Sequence, residues 1–433
     1  MHPQPPMDKL RRIIVLLLLA TCARAAAGAA WTHDAYIWQR KPAAQVDDAL
    51  RASSGQVNGY CVLASEISWD KASPKIVRPR FDYAGLAALG KPIGLALRIG
   101  TRNSEKQFAD ALPQIVAEAS ALLESVRNAG LAPSELQIDF DCPESKLGLY
   151  RGWLAALKTA AGETPLTFTA LPCWLQHERE FVDLARTADG FVLQVHSLHK
   201  PRAIDDTFTL CEPGAALHWC RGADGLAARA GTRFRVALPT YGYTLGFDDK
   251  GRFIGLAAET PRDWPPGAQL RTVRSDPRAM QALAQTLAAE KLPRATGIIW
   301  FRLPAENDRL AWTGKTFSAV IEGGEIISHL AVEIHRAKPG LAEIVIINRG
   351  HTTEPLPQRV KITWSGDASL ESRDGLGGYS FYYDRDDPRA LVGMRSLAST
   401  EIAPGHSRVI GWVRFDSPDK KPITNISINA TIP

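Results

Sequence analysis

Between residue 31 and about residue 322, short apolar runs alternate eight times with polar-faced stretches. The runs are Ala35–Gln39, Tyr60–Glu66, Ile93–Ile99, Leu136–Asp141, Leu166–Leu171, Phe191–His196, Arg235–Leu238 and Gly297–Arg302. Between most of them the apolar residues recur at helical spacing, as in Gln107–Ala129, Lys146–Ala161, Phe181–Thr187 and Pro277–Lys291. Eight β-then-α units over this length predict a (β/α)8 (TIM) barrel, an α/β fold. A doubly wound open sheet is the rival, but it carries a glycine-rich turn after its first strand. Here that strand runs into Trp38-Gln39-Arg40-Lys41-Pro42.

The texture changes after Gly323-Gly324, which reads as a linker. His329–His335, Ala342–Asn348, Val360–Trp364, Phe381–Tyr383 and Arg408–Phe415 read as strands separated by turn residues, with no helix of consequence. Residues 323–433 are therefore expected to form a small all-β sandwich, either a structural cap or a carbohydrate-binding module. Gly375-Leu376-Gly377-Gly378 reads as a hairpin turn within it, since no helix follows.

Residues 1–30 read as a signal peptide. Lys9, Arg11 and Arg12 precede the apolar run Ile13–Ala20, and Ala23-Arg24-Ala25 offers a cleavage site. The run is short of the roughly 20 residues that span a bilayer. Leu19-Ala20-Thr21-Cys22 resembles a lipobox, so a lipid anchor at Cys22 is the alternative to free release, and no later segment reads as transmembrane. The expected location is the bacterial periplasm or cell envelope. Removing residues 1–30 takes away four basic residues and one acidic one and lowers the net charge from +5 to +2. That balance gives no electrostatic case for a nucleic-acid partner. Export implies an oxidising compartment, and of the five cysteines beyond Cys22, Cys211 and Cys220 form the expected disulfide.

Chemistry is expected where the strands end. Side chains alternate along a strand, so Gln137, Asp139 and Asp141 share one face and Leu136, Ile138 and Phe140 the other. The apolar set fits under the helices and the polar set inside the barrel, where polar groups must reach partners, solvent or ligand. Two carboxylates about 7 Å apart along a strand divide acid and base roles, because one charge raises the pKa of the other. By the same parity Val62, Ala64 and Glu66 share a face on the second strand, Gly94, Ala96 and Arg98 on the third, and Gln194 and His196 on the sixth; Arg302 closes the eighth. Trp38, Trp69, Trp174, Tyr241, Tyr243 and Trp300 crowd the same ends, as sugar-stacking rings or as core. The candidate catalytic residues are Asp141, Asp139 and Glu66. The candidate ligand contacts are His196, Gln194, Tyr241, Trp300, Arg98, Arg302, Trp38 and Trp174. Each has a structural alternative: Glu66 and Arg98 can simply pair, and Asp139 can serve only as support.

Residues Ala35 to about Trp312 resemble a bacterial family catalogued as domain of unknown function 3142. The likeness rests on residues 137–145 (QIDFDCPES), 171–175 (LPCWL), 193–197 (LQVHS), 237–243 (ALPTYGY) and 300–304 (WFRLP). More distantly the chain resembles family-18 glycoside hydrolases. Asp139 and Asp141 match the last two aspartates of that family's D-x-x-D-x-D-x-E motif, and Pro239-Thr240-Tyr241-Gly242 matches its P-x-Y-G segment. Pro143 stands where the family has its acid glutamate, Glu144 comes one residue late, and Leu136 holds the first aspartate position.

These readings lead to an exported glycoside-hydrolase-like protein acting on a polysaccharide or oligosaccharide, with Asp141 as candidate general acid. Asp139 or Glu66 is then base or electrostatic partner, and no cofactor or metal is expected. The alternative is a non-catalytic glycan-binding or envelope scaffold protein on a degenerate barrel. Metal-assisted hydrolysis through Asp139, Asp141 and His196 lacks clustered ligand spacing. Nucleophile-elbow and phosphate-loop motifs are absent.

Overall fold

The computed structural model describes residues 31–432 apart from 42–43, 71–72, 259–261, 307, 339, 367–368, 397–399 and 417–426. The expected signal peptide and Cys22 lie outside the described residues.

Eight parallel strands close a barrel. They are β1 (Thr32–Ile37), β2 (Gly59–Asp70), β3 (Ile93–Ile99), β4 (Glu135–Asp139), β5 (Leu166–Ala170), β6 (Gly190–Gln194), β7 (Arg233–Pro239) and β8 (Ala295–Phe301). Each pairs with the next, and β1 pairs with both β2 and β8. The eight runs read from the sequence are these eight strands. Helices return the chain between most of them. The longest, Glu105–Asn128, opens with a capping box from Ser104 and Gln107 and buries Phe108, Ala111, Ile115, Ala119, Leu122 and Val126 against the sheet.

Parity divides the strands into two cores. Ala35, Ile37, Leu136, Ile138, Leu166, Phe168 and Phe191 face outward into the core beneath the helices. Tyr36, Trp38, Cys61, Leu63, Ala96, Val192, Ala237 and Ile299 face inward. At the amino end of the barrel Arg235 bridges Asp34 (2.9 Å) and Glu135 (2.5 Å), and Thr167 donates to Glu135 (2.7 Å). Above this layer, Gln137 donates to Tyr36 and to Thr169 (3.2 Å), and the Cys61 thiol donates to Gln137 (3.3 Å). The polar interior is thus internally hydrogen-bonded, as buried polar groups require.

Strand β2 departs from simple alternation. Its register with β3 shifts between Leu63 and Ser65, so one residue is inserted. Val62 and Ala64 face the helices, not the barrel as alternation predicts. Ser65 also faces outward and donates to Glu118 (2.6 Å). The bulge turns Glu66 back toward the mouth, in register with Arg98.

After β7 the chain makes an antiparallel three-stranded insert, Gly242–Phe247, Phe253–Ala257 and Gln269–Arg274, which the sequence reading leaves unassigned. Its first strand carries Tyr243 over the barrel.

Beyond the last helix (Gly314–Glu322), capped by Gly323 in the left-handed region, two four-stranded antiparallel sheets pack together. Ile344, Ile346 and Val413 of one sheet meet Ile362, Phe381 and Leu391 of the other in a separate core. This is the all-β sandwich. Strands Ser369–Gly375 and Ala390–Arg395 add to those read from the sequence. Gly377 and Gly378, with φ of 63° and 88°, turn the chain from one sheet to the other: Ser369–Gly375 and Tyr379–Tyr383 lie in different sheets and do not pair, so the expected hairpin turn is a crossing between sheets. The sandwich is tied to the barrel by the Arg274–Glu401 ion pair and by Lys315 and Thr316, which donate to the carbonyls of Arg349 (2.7 Å) and His351 (2.8 Å).

Cys211 and Cys220 are buried free thiols, so the expected disulfide is not formed. Cys220 sits on the inner face of helix Pro213–Ala230 and packs in the helix–barrel core, where burial pushes its thiol up to about 12. Among the described residues no helix is long and apolar enough to cross a membrane.

Candidate active site

A cavity of about 310 Å³ opens at the carboxyl ends of the strands. Eight of the eleven predicted site residues line it: Trp38, Arg98, Asp139, Asp141, Gln194, His196, Tyr241 and Arg302; Glu66, Trp174 and Trp300 do not. Their positions follow from strand parity. Asp139 is the last residue of β4 and Asp141 lies two residues beyond, on the same side; Gln194 ends β6.

Asp139 is the most perturbed acid of the site. Its side chain is only 18% exposed and lies 3.8 Å from the Arg98 guanidinium. Burial raises its pKa to about 6, against the pull of Arg98 and with the push of the Asp141 charge and, more weakly, Glu66. Asp141 is exposed at the rim. Glu66 does not pair with Arg98 but holds Arg40 at 2.8 Å, leaving Arg98 to Asp139.

His196 is buried beneath the opposite wall. Desolvation lowers its pKa to about 3, so its imidazole is neutral at physiological pH. Its Nε2 is buried without a hydrogen-bond partner, and its Nδ1 lies 3.4 Å from the Tyr241 hydroxyl. Tyr241, Tyr243 and Ser197 form a ring of hydroxyls at 2.5–2.9 Å. Ser197 adopts φ of 59°, a backbone state that non-glycine residues rarely occupy and that concentrates at functional sites. Arg302 is buried and committed to Asp308 (Nε–Oδ2 2.7 Å), with its guanidinium over the Tyr241 ring. It braces the wall.

Two predicted ligand contacts are not in the cavity. Trp300 is 0% exposed and faces outward, donating to His33 (3.2 Å) and packing on Trp312 and Phe317. It falls on the opposite parity from Ile299 and Phe301, and Phe301 takes the place inside. Trp174 is also 0% exposed and donates to the Cys142 carbonyl, under Tyr150. Its segment, Pro172–Gln176, is a short 3-10 turn that folds the ring back into the helix core. Glu144, the late glutamate, accepts from His177 (2.9 Å) and Gln176 (2.5 Å), which lower its pKa. It does not line the cavity.

The sequence reading missed Tyr36, Thr169, Ser197 and Phe301 as cavity residues. Thr169 was within reach, because Leu166-Thr167-Phe168-Thr169-Ala170 alternates and its threonines face inward.

Residues 90–306, half of the chain, match the family described as domain of unknown function (DUF3142). The chain belongs to that family. A second family model, domain of unknown function (DUF8456), matches residues 331–416 in the sandwich of this DUF3142 protein. No curated protein matches it. Among solved structures it is similar to the spore cortex-lytic enzyme SleL of Bacillus cereus, with 13% identity, 70% of this chain and 76% of that one covered, and a TM-score of 0.48. It is also similar to the GH18 chitinase ChiB of Flavobacterium johnsoniae (10% identity, 68% and 93% covered, TM-score 0.43). A third likeness is to the chitinase-like agglutinin of Robinia pseudoacacia (12% identity, 66% and 98% covered, TM-score 0.41).

Proposed function

We propose that this DUF3142 protein is an exported glycoside hydrolase whose acid chemistry is carried by the Asp139–Asp141 pair. The observation behind the reading is that both carboxyls line one cavity at the barrel mouth, the buried one having a pKa of about 6. A carboxyl in that range keeps its proton in mildly acidic solution and gives it up readily, as a general acid must. The acid role therefore moves one position inward from the sequence assignment. Asp139 donates to the glycosidic oxygen, and Arg98 stabilises the carboxylate left behind. Asp141, at the rim, is the electrostatic or basic partner. The neutral His196 offers its unpartnered Nε2 to a ligand hydroxyl, and the hydroxyls of Tyr241 and Ser197 lie beside it. Glu66 contributes through its charge.

The glycan class is supported by the match of Asp139, Asp141 and Pro239–Gly242 to family-18 segments. Carboxyl separation sets the stereochemistry of such a reaction, with about 5 Å giving retention and about 6.5–9.5 Å inversion. Export rests on the leader-like residues 1–30, with release or a Cys22 anchor as its two forms.

The second reading is a glycan-binding barrel without turnover. Its support is Pro143 at the family's acid position and the diversion of Glu144 to His177 and Gln176. Incubating the mature protein with a polysaccharide panel and following reducing ends separates the two. Release by the wild type and not by Asp139→Asn supports the hydrolase. Retention on a polysaccharide without release, unchanged in Asp139→Asn, supports the binding protein.

A further inference from the structure

The carboxylate cavity does not end at Asp141. A second cavity of about 790 Å³ adjoins it and shares Asp141, Gln194 and Ser197 with it. The chemistry changes across that shared wall. Leu171, Leu175, Leu198 and Trp219 line the second cavity, and each is half-buried. Of its polar members, Gln176, His199 and His218 are exposed, while Gln194 and Ser197 are half-buried on the wall shared with the first cavity. A third space of about 280 Å³ continues beyond Leu198 and Trp219 toward Phe208 and Leu210. The three therefore run in series, from a polar chamber holding Asp139, through an apolar chamber, to an extension past Trp219.

Half-buried leucine and tryptophan surface facing water is unfavourable, and covering it stabilises a complex by about 25 cal/mol per Å². A second sugar would bring hydroxyls that need partners along its length, and beyond the shared wall of Asp141, Gln194 and Ser197 this cavity supplies them only from exposed side chains. A flexible apolar chain needs none and fits a run of connected spaces. We infer that the ligand is amphiphilic, a glycoside whose alkyl or acyl chain occupies the apolar chamber while its sugar meets Asp139 and Asp141. This inference rests on the glycan reading of the site.

The test is titration calorimetry of the full mature protein with n-hexyl, n-octyl and n-decyl β-D-glucosides and N-acetylglucosaminides, below micelle formation. The free alcohol is followed in parallel. Burial of the chain gives affinity rising by about tenfold per two methylenes in at least one series, with a negative heat-capacity change. Trp219→Ala and Leu198→Gln reduce that rise several-fold, and Leu198→Met keeps it. Affinity independent of chain length, or a rise that survives both disruptive variants, overturns the inference. Hydrolysis of an unmodified polysaccharide with no chain-length dependence does so too, while leaving the hydrolase reading intact. Chain-length-dependent binding without release of alcohol or of reducing ends from any glycan upholds the amphiphilic ligand and sinks the hydrolase.

Discussion

The Arg98 guanidinium on β3 lies 3.8 Å from the Asp139 carboxylate on β4, and the two are neighbours in strand register. Arg98 is the chief influence opposing the burial of that carboxyl. Replacing it with Met removes the opposing charge and leaves the desolvation. The Asp139 pKa is then expected to rise above 6, and the alkaline limb of the pH–rate profile to move with it. Carbon-13 labelled aspartate followed by NMR reads the shift directly. An unchanged or lowered inflection contradicts the assignment.

Asp139→Asn is expected to abolish hydrolysis and yet raise stability at neutral pH. The folded pKa of Asp139 lies above its unfolded value, so the folded state binds the extra proton between about pH 4 and pH 6. Stability from this group is full below the unfolded pKa and is lost as pH rises through about 6. An asparagine carries no such penalty. Thermal melts of the two proteins should diverge above pH 6 and converge near pH 4. A variant that is inactive because it is less stable at pH 7 would show the opposite.

The barrel was legible because eight alternations of two periodicities leave few folds, and because apolar and polar positions on β4 separate cleanly into Leu136, Ile138 and Gln137, Asp139. What parity could not show was the extra residue in β2, which reverses Val62 and Ala64 while leaving Glu66 at the mouth. A bulge has no composition of its own. Trp300 and Trp174 were misplaced for a related reason: a ring near a strand end stacks on sugar or fills core equally well, and which face it takes is decided by one residue of register or by a following turn. Ser369–Gly375 was missed in the sandwich because its residues, mostly polar, belong to an edge strand.

His196 predicts the reverse pH trend. Its folded pKa of about 3 lies far below the value of a free imidazole, so the unfolded chain binds the extra proton between about pH 3 and 6.5. Stability from this group is therefore lost as pH falls through that window. His196→Gln, which keeps a polar group in the cavity, should resist acid better than the wild type in denaturant titrations at pH 4–5 while weakening ligand binding. The wild-type rate profile should show no limb assignable to this histidine between pH 6 and 8. A histidine NMR titration that places its pKa near 6.5 would contradict the buried, neutral state.

Arg235 is a largely buried charge on which the floor of the barrel depends. It lies between Asp34 and Glu135 at the closed end of the barrel, with 18%, 14% and 10% of the three side chains exposed. Removing one member of a buried ionic group leaves the others desolvated and unpaired, at a cost of about 3–5 kcal/mol. Arg235→Met should lower the denaturation midpoint accordingly, at neutral pH, without touching the mouth of the barrel. Acid should partly rescue it. With the arginine gone, burial and the neighbouring Glu135 charge raise the Asp34 pKa further, and protonating it removes uncompensated charge. The deficit measured by urea unfolding is therefore expected to shrink as pH falls from 7 to 5. A deficit constant over that range would mean that lost packing, not stranded charge, is what the substitution costs.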